Sequence, residues 1–266
     1  MDWLVVAMTI VVVVFAVTTT TLVFLMLRPP PPPLPLADNF QTYVINMRKN
    51  NDRMKHFDMQ YNRSDLAGVP YTRIEAVNGY ELDPDEVKRH VSPKVWLGLN
   101  ELVKNKKRMG DGQLTHGMIG CYLSHYSIYE QMVRDALEYA IIFEDDAKIH
   151  PQIYRRLVKS IVEEEGRFPA DWDVILLGHW CKMCEAKNLE LGRARYFWGL
   201  HGYMVSQRGA QKLLQYREPE ITMQIDHYLS YLSQKNLLNV WAIHPSYVMP
   251  ANFGTDLQML VSKVKN

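Results

Sequence analysis

Three cysteines in 266 residues, Cys121, Cys181 and Cys184, are too few for a disulfide framework. The Cys181-x-x-Cys184 spacing lacks a second cysteine pair. A zinc site would need His179 and His201 to complete it, and the simpler readings are ordinary thiols or one short-range disulfide in a loop. Charge of one sign is also missing. Thirty Lys and Arg against 29 Asp and Glu leave a formal net charge of +1, mixed along the chain. That balance excludes the basic footprint of a nucleic-acid-binding protein. With 47% hydrophobic and 22% charged residues, the composition is that of a globular chain with a sizeable core, and one catalytic domain is the simplest count.

No charge interrupts Trp3–Leu27. A run of about 25 apolar and hydroxyl residues is long enough to cross a bilayer with some tilt. No basic residue precedes it and no small-x-small cleavage site follows, so it reads as a membrane anchor over residues 1–28 rather than a signal peptide. Pro29 to Pro33 with Pro35 cannot form helix or sheet, and residues 29–39 read as a stiff polyproline stalk. The expectation is a single-pass membrane protein. Its side is left open: Arg28 after the span leans towards a cytosolic domain, whereas the sequon Asn62-Arg63-Ser64 would matter only in the opposite topology.

Residues 40–266 read as the catalytic domain. Strand-like runs at Thr42–Asn46, Tyr71–Val77, Ile141–Phe143, Trp172–Gly178, Gly202–Ser206 and Val240–Val248 alternate with helical patterns. Those helices are expected after Arg53, over Gly117–Tyr139, over Ile153–Glu165, from a Ser206 cap through Tyr216, and within Ile221–Gln234. The alternation predicts an α/β fold, a mostly parallel mixed sheet flanked by helices. Asp83 to Gly112 has a weak, charged pattern and reads as a mobile connection.

The sharpest chemical signal is Ile141-Ile142-Phe143-Glu144-Asp145-Asp146, a buried strand ending in three adjacent carboxylates. In an open α/β sheet the ligand crevice lies beyond the carboxyl ends of the strands. Adjacent acids repel one another, and a hard divalent cation such as Mn²⁺ or Mg²⁺ neutralises them while binding the phosphates of a substrate. A metal-bound diphosphate is the implied ligand, against a solvated acidic turn as the plain alternative. Arg48 and Arg53, in the loop after the first strand, have the chemistry to grip a diphosphate.

Five blocks together resemble glycosyltransferase family 25, which includes lipooligosaccharide and procollagen galactosyltransferases. They are Tyr43–Arg48 with Asp52-Arg53, Ala76-Val77-Asn78-Gly79, Ile119–His125, Ile142–Ala147, and Gly202–Ser206 with Gly209-Ala210 and Lys212–Leu214. Asn78 stands where the family block carries Asp. The resemblance spans roughly Tyr43 to Gln258 and implies a GT-A-like fold behind one transmembrane helix. It further implies a UDP-sugar donor, Mn²⁺ (or Mg²⁺), and a glycan or protein acceptor whose hydroxyl receives galactose or glucose with inversion. It also assigns roles. Asp146 is the first metal ligand, with Glu144 and His244 as further candidates, and Asp145 and Glu144 reach metal-bound water or donor. Ser124 and His125 belong to the donor pocket, and Asp226 is the candidate base. Two other readings compete: a catalytically inactive, membrane-anchored binding relative, and a metal enzyme acting on phosphate esters.

Overall fold

The computed structural model describes residues 40–105, 112–158, 169–186 and 191–253. The expected anchor and stalk lie outside the described residues, and among the described residues no helix is long and apolar enough to cross a membrane.

Strand β1 (Phe40–Asn46) is followed by helix α1 (Asn51–Arg63), which turns Phe57 and Tyr61 onto the sheet. Phe57 is fully buried and packs 5.7 Å from Phe143, and burying one such side chain is worth about 1.5–3 kcal/mol. Strand β2 (Tyr71–Glu75) lies parallel to β1.

The next segment departs from expectation. Up to Asn105 the segment expected as a mobile connection holds α2 (Pro84–His90) and α3 (Pro93–Asn105), and residues 106–111 of it lie outside the described residues. Asp83 caps α2 by accepting the Asp85 N–H, Pro84 fits a first helical turn, and Val87, Leu99 and Leu102 supply enough buried surface to hold both helices.

Helix α4 (His116–Arg134), capped by Thr115, leads into β3 (Tyr139–Glu144) and β4 (Ala147–Ile149). After the short α5 (Ile153–Val158) come two long strands, β5 (Val174–Ala186) and β6 (Leu191–Ser206). Helices α6 (Gln207–Gln215) and α7 (Ile225–Gln234) precede β7 (Val240–Ile243) and β8 (Val248–Pro250). The single strand expected over Val240–Val248 is therefore two, broken at the cis His244–Pro245 bond.

The main sheet runs β2-β1-β3-β6-β5-β7, with β6 alone antiparallel to the other five. It is the mostly parallel mixed sheet that the alternating pattern predicts. Past the end of β3, β5 and β6 pair with each other through several register shifts, and the start of β6 closes onto β7. Bulges of this kind bend a strand, which lets the pair curl.

Beneath α6 one buried carboxylate joins three elements. Asp173 has a fully buried side chain that accepts from Arg208 Nε at 2.8 Å, Lys212 Nζ at 2.6 Å and the Asn239 N–H at 2.7 Å. Asp173→Ala leaves two cations and a backbone donor without their acceptor. It is expected to cost about 3 kcal/mol, read as a lower urea midpoint with unchanged slope. A change under about 0.5 kcal/mol would remove Asp173 as the anchor.

Candidate active site

Three parallel strands, β1, β2 and β3, end side by side, and the loops that follow them line a cleft of about 810 Å³, part of it open to solvent. From β1 come Met47, Lys49, Asn50 and Arg53; from β2, Ala76 to Tyr80; from β3, Glu144, Asp145 and Asp146; and Phe253 closes one side. Two glycines allow the β2 loop to lie on α4. A Cβ on Gly79 would stand 1.7 Å from the His116 carbonyl oxygen, and one on Gly120 would stand 2.2 Å from that of Val77. Ser124 locks the contact: its Oγ accepts the Val77 N–H at 2.8 Å and donates to the Gly120 carbonyl at 2.7 Å.

The three acids have distinct surroundings. Asp145 is buried and its oxygens are taken, Oδ2 by Asn46 Nδ2 at 2.6 Å and Oδ1 by the Arg53 guanidinium at 2.6 Å. Asp146 lies between Arg53, 3.4 Å from Oδ2, and His201, 3.9 Å from Oδ1. Glu144 is flanked by two imidazoles, His125 Nε2 at 3.6 Å and His201 Nδ1 at 3.7 Å, both beyond ordinary hydrogen-bond length. A chain of hydroxyls fixes the first ring: His125 Nδ1 is 2.6 Å from the Tyr203 hydroxyl, which is 2.8 Å from that of Tyr129.

These surroundings push the carboxyls apart. Burial raises Asp146 to about 6, with the charge of Glu144 adding to the rise. Burial also works against Glu144, but His125 and His201 at its oxygens hold it well below the usual carboxylate range. Burial depresses His201, yet Glu144 more than restores it and leaves its pKa raised. For Asp145 burial outweighs Arg53, and the pKa rises.

A divalent cation fits this set. Asp146 Oδ1, His125 Nε2 and both ring nitrogens of His201 are buried without hydrogen-bond partners. Glu144, Asp146 and His201 can place one donor atom each within 4.8 Å of one another, as can Cys121, His125 and Glu144. Oxygen donors with one imidazole suit Mn²⁺ or Mg²⁺, whereas a thiol points to softer metals. The three carboxylates outnumber the two cations, Arg53 and Lys49, that line the cleft with them.

The other residues singled out in the sequence fall in different places. Arg48 points into solvent and pairs with Glu75 at 2.7 Å, outside the cleft lining. His244 packs edge-on against His179, ring centroids 4.9 Å apart, and belongs to neither candidate ligand group. Cys181 and Cys184 form a disulfide, so no zinc set assembles with His179 and His201. Asp226 accepts the Gly199 N–H at 3.0 Å and the His227 N–H at 2.7 Å, next to the strand segment that carries His201. Asn46 lies within a quoted block but has no role assigned there, and His201 and Phe253 are site residues that no block contains. For His201 the only signal is pairing. β3 and β6 are in register to Phe143↔Gly202, and one step further sets His201 beside Glu144.

A family model described as glycosyltransferase family 25 (LPS biosynthesis protein) matches residues 39–229. The chain belongs to glycosyltransferase family 25. Procollagen galactosyltransferase 1 of Danio rerio is 27% identical over 210 residues, covering 77% of this chain and 33% of that protein. A glycosyltransferase 25 family member of Aedes aegypti is 28% identical over 207 residues, covering 76% and 32%. This family 25 chain spans about a third of the length of the curated relatives it matches. Among solved structures, a Drosophila β-1,4-galactosyltransferase 7 with manganese, UDP-Gal and xylobiose has a TM-score of 0.36 and 10% identity, covering 86% of this chain and 71% of that one. That likeness is too slight to bear on the site.

The family 25 block Ala76–Gly79 depends on the close approach at Gly79. Gly79→Ala is expected to cost about 3 kcal/mol and to deprotect the amides of residues 76–80 in hydrogen exchange. Gly112→Ala, where a Cβ meets open space, is expected to change stability by less than about 0.5 kcal/mol. Equal behaviour of the two variants would contradict the packing described.

Proposed function

We propose that the chain is a metal-dependent glycosyltransferase of GT-A type. It moves a hexose, galactose or glucose, from a UDP-sugar to a hydroxyl of a glycan or protein, with inversion at the anomeric carbon. The observation that carries the reading is the meeting of His201 with Glu144 and Asp146 of the cleft wall, where Asp146 Oδ1 and both His201 ring nitrogens are buried without partners, in a family 25 chain. Galactose is favoured by relatives named as procollagen galactosyltransferases. Trp3–Leu27 would hold the domain at a membrane, with the proline run as spacer.

Each residue then has a task. Glu144, Asp146 and His201 hold Mn²⁺ or Mg²⁺, which when bound supplies Lewis-acid stabilisation of the departing diphosphate. Lys49 and Arg53 face the cleft and take diphosphate oxygens, Arg53 doing so from an orientation already set by Asp145 and Asn46. The loop from Ala76 to Tyr80, held by Ser124, forms the wall for the nucleoside. His125, fixed by Tyr203, positions Glu144.

In the transfer step the acceptor oxygen bonds to the anomeric carbon as the bond from that carbon to the phosphate oxygen breaks. The nucleoside diphosphate leaves with the electron pair, and the hydroxyl proton passes to a base, for which Asp226 is the candidate. Its two backbone hydrogen bonds leave lone pairs for that proton and fix where the carboxylate points. Arg48 and His244 have no part in this scheme.

The test is nucleotide release from a panel of nucleotide sugars by the segment starting at Leu36. Release from a UDP-hexose is expected with Mn²⁺ and not with chelator, and Asp146→Asn is expected to lower it about 100-fold or more. Release indifferent to chelator and to Asp146→Asn would refute the metal-dependent reading.

A further inference from the structure

Beyond the end of β3 the β5–β6 pair carries a set of aromatic side chains that the scheme above does not use. Trp180 and Trp198 are direct cross-strand partners, so they share one face of the pair, and Tyr196 joins them two residues along. The opposite face is the inward one, where Phe197 is fully buried. On the outer face Trp180 is 42% and Tyr196 39% exposed, an unusual state for such large apolar rings. Lys182 Nζ sits 5.2 Å over the Trp198 ring, and Tyr196 packs edge-on to it at 6.0 Å.

This face adjoins the carboxylates. The Trp180 ring stands edge-on against His201, centroids 4.7 Å apart, and His201 is the ring that faces Glu144 and Asp146. The juxtaposition is built. Gly199 has φ +87°, and a Cβ there would come within 2.9 Å of the Trp180 ring and 3.1 Å of His201 Nε2. Its N–H is held by Asp226, the candidate base. None of these aromatic residues lines the cleft between the β1 and β2 loops. The donor cleft and the aromatic face thus adjoin the carboxylates through different residues, Arg53 for one and His201 for the other.

We infer that Trp180 and Trp198 form the acceptor subsite and that the acceptor presents a pyranose ring, a sugar rather than a bare peptide hydroxyl. The C–H face of a pyranoside is a flat apolar surface with polar edges. It covers an exposed indole well and leaves its hydroxyls for Lys182 and for Asp226. The inference rests on the glycosyltransferase reading, and it narrows the acceptor left open there.

The experiment uses a panel of methyl pyranosides and disaccharides, including galactosides, glucosides and xylosides, added to the full chain with Mn²⁺ and UDP. Binding is followed by saturation-transfer NMR and tryptophan fluorescence, and UDP binding itself is measured by calorimetry. The expected result is transfer to the ring protons of one face of a terminal pyranose, with affinity falling at least tenfold in Trp180→Ala and severalfold in Trp198→Ala. Because Trp180 touches His201, Trp198→Ala carries the test if Trp180→Ala fails to fold. Two results would overturn the inference: no pyranoside in the panel binding, or affinity unchanged in the folded variants. Failure of UDP to bind would instead count against the donor-site reading, and the sugar measurement decides the aromatic face independently.

Discussion

Three adjacent carboxylates at a strand end repel one another, and the arrangement around Glu144, Asp145 and Asp146 answers that repulsion acid by acid. Asp145 is neutralised within the protein by Arg53 and Asn46. Asp146 meets the same guanidinium only at 3.4 Å and His201 at 3.9 Å, and Glu144 has imidazoles alone, at 3.6 and 3.7 Å, too far for ordinary hydrogen bonds. One acid of the motif is therefore a fastener for Arg53, and the other two keep oxygen atoms with which the proposed metal would be held. The difference comes from what the neighbouring strands deliver, since the three side chains are chemically alike.

Positioning this group draws on most of the fold. β1 brings Asn46, the first turn of α1 brings Arg53, α4 brings His125 and Ser124, and β6 brings His201 and Tyr203. Close backbone approaches at Gly79, Gly120 and Gly199 let loop, helix and hairpin come near enough to form one site. Asp173, just before β5, ties that strand to α6 and to the segment before β7 through charge and a backbone bond. Rigid supports of this kind are what a site needs when its donors are otherwise left unpaired.

Local features of the site were legible in the sequence. The β1 run with its polar loop, the α4 pattern carrying Ser124 and His125, and the apolar run ending in acids all stand at their expected places, because each depends on residues within a few positions of one another. His201 was not legible as a partner of Glu144: it is joined to it only by the antiparallel register of β3 and β6, which no spacing along the chain reveals. Helices α2 and α3 were missed for a different reason. α2 is short and charged with Val87 as its buried residue, and α3 leaves Leu97 and Val103 exposed, so neither shows a clean apolar face along the chain. Arg48 shows the converse case, in which suitable chemistry beside the right strand pairs with Glu75 in solvent.

The central claim is that β6 delivers His201 to Glu144 and Asp146 as the nitrogen donor of a metal site. Pulsed electron paramagnetic resonance on the Mn²⁺-loaded protein tests it most directly, because a coordinated imidazole couples its nitrogen to the manganese electron spin. The account predicts nitrogen modulation in the wild-type protein and its loss in His201→Ala, with weaker Mn²⁺ binding. Bound Mn²⁺ with no nitrogen coupling, or with coupling unchanged in His201→Ala, would contradict it.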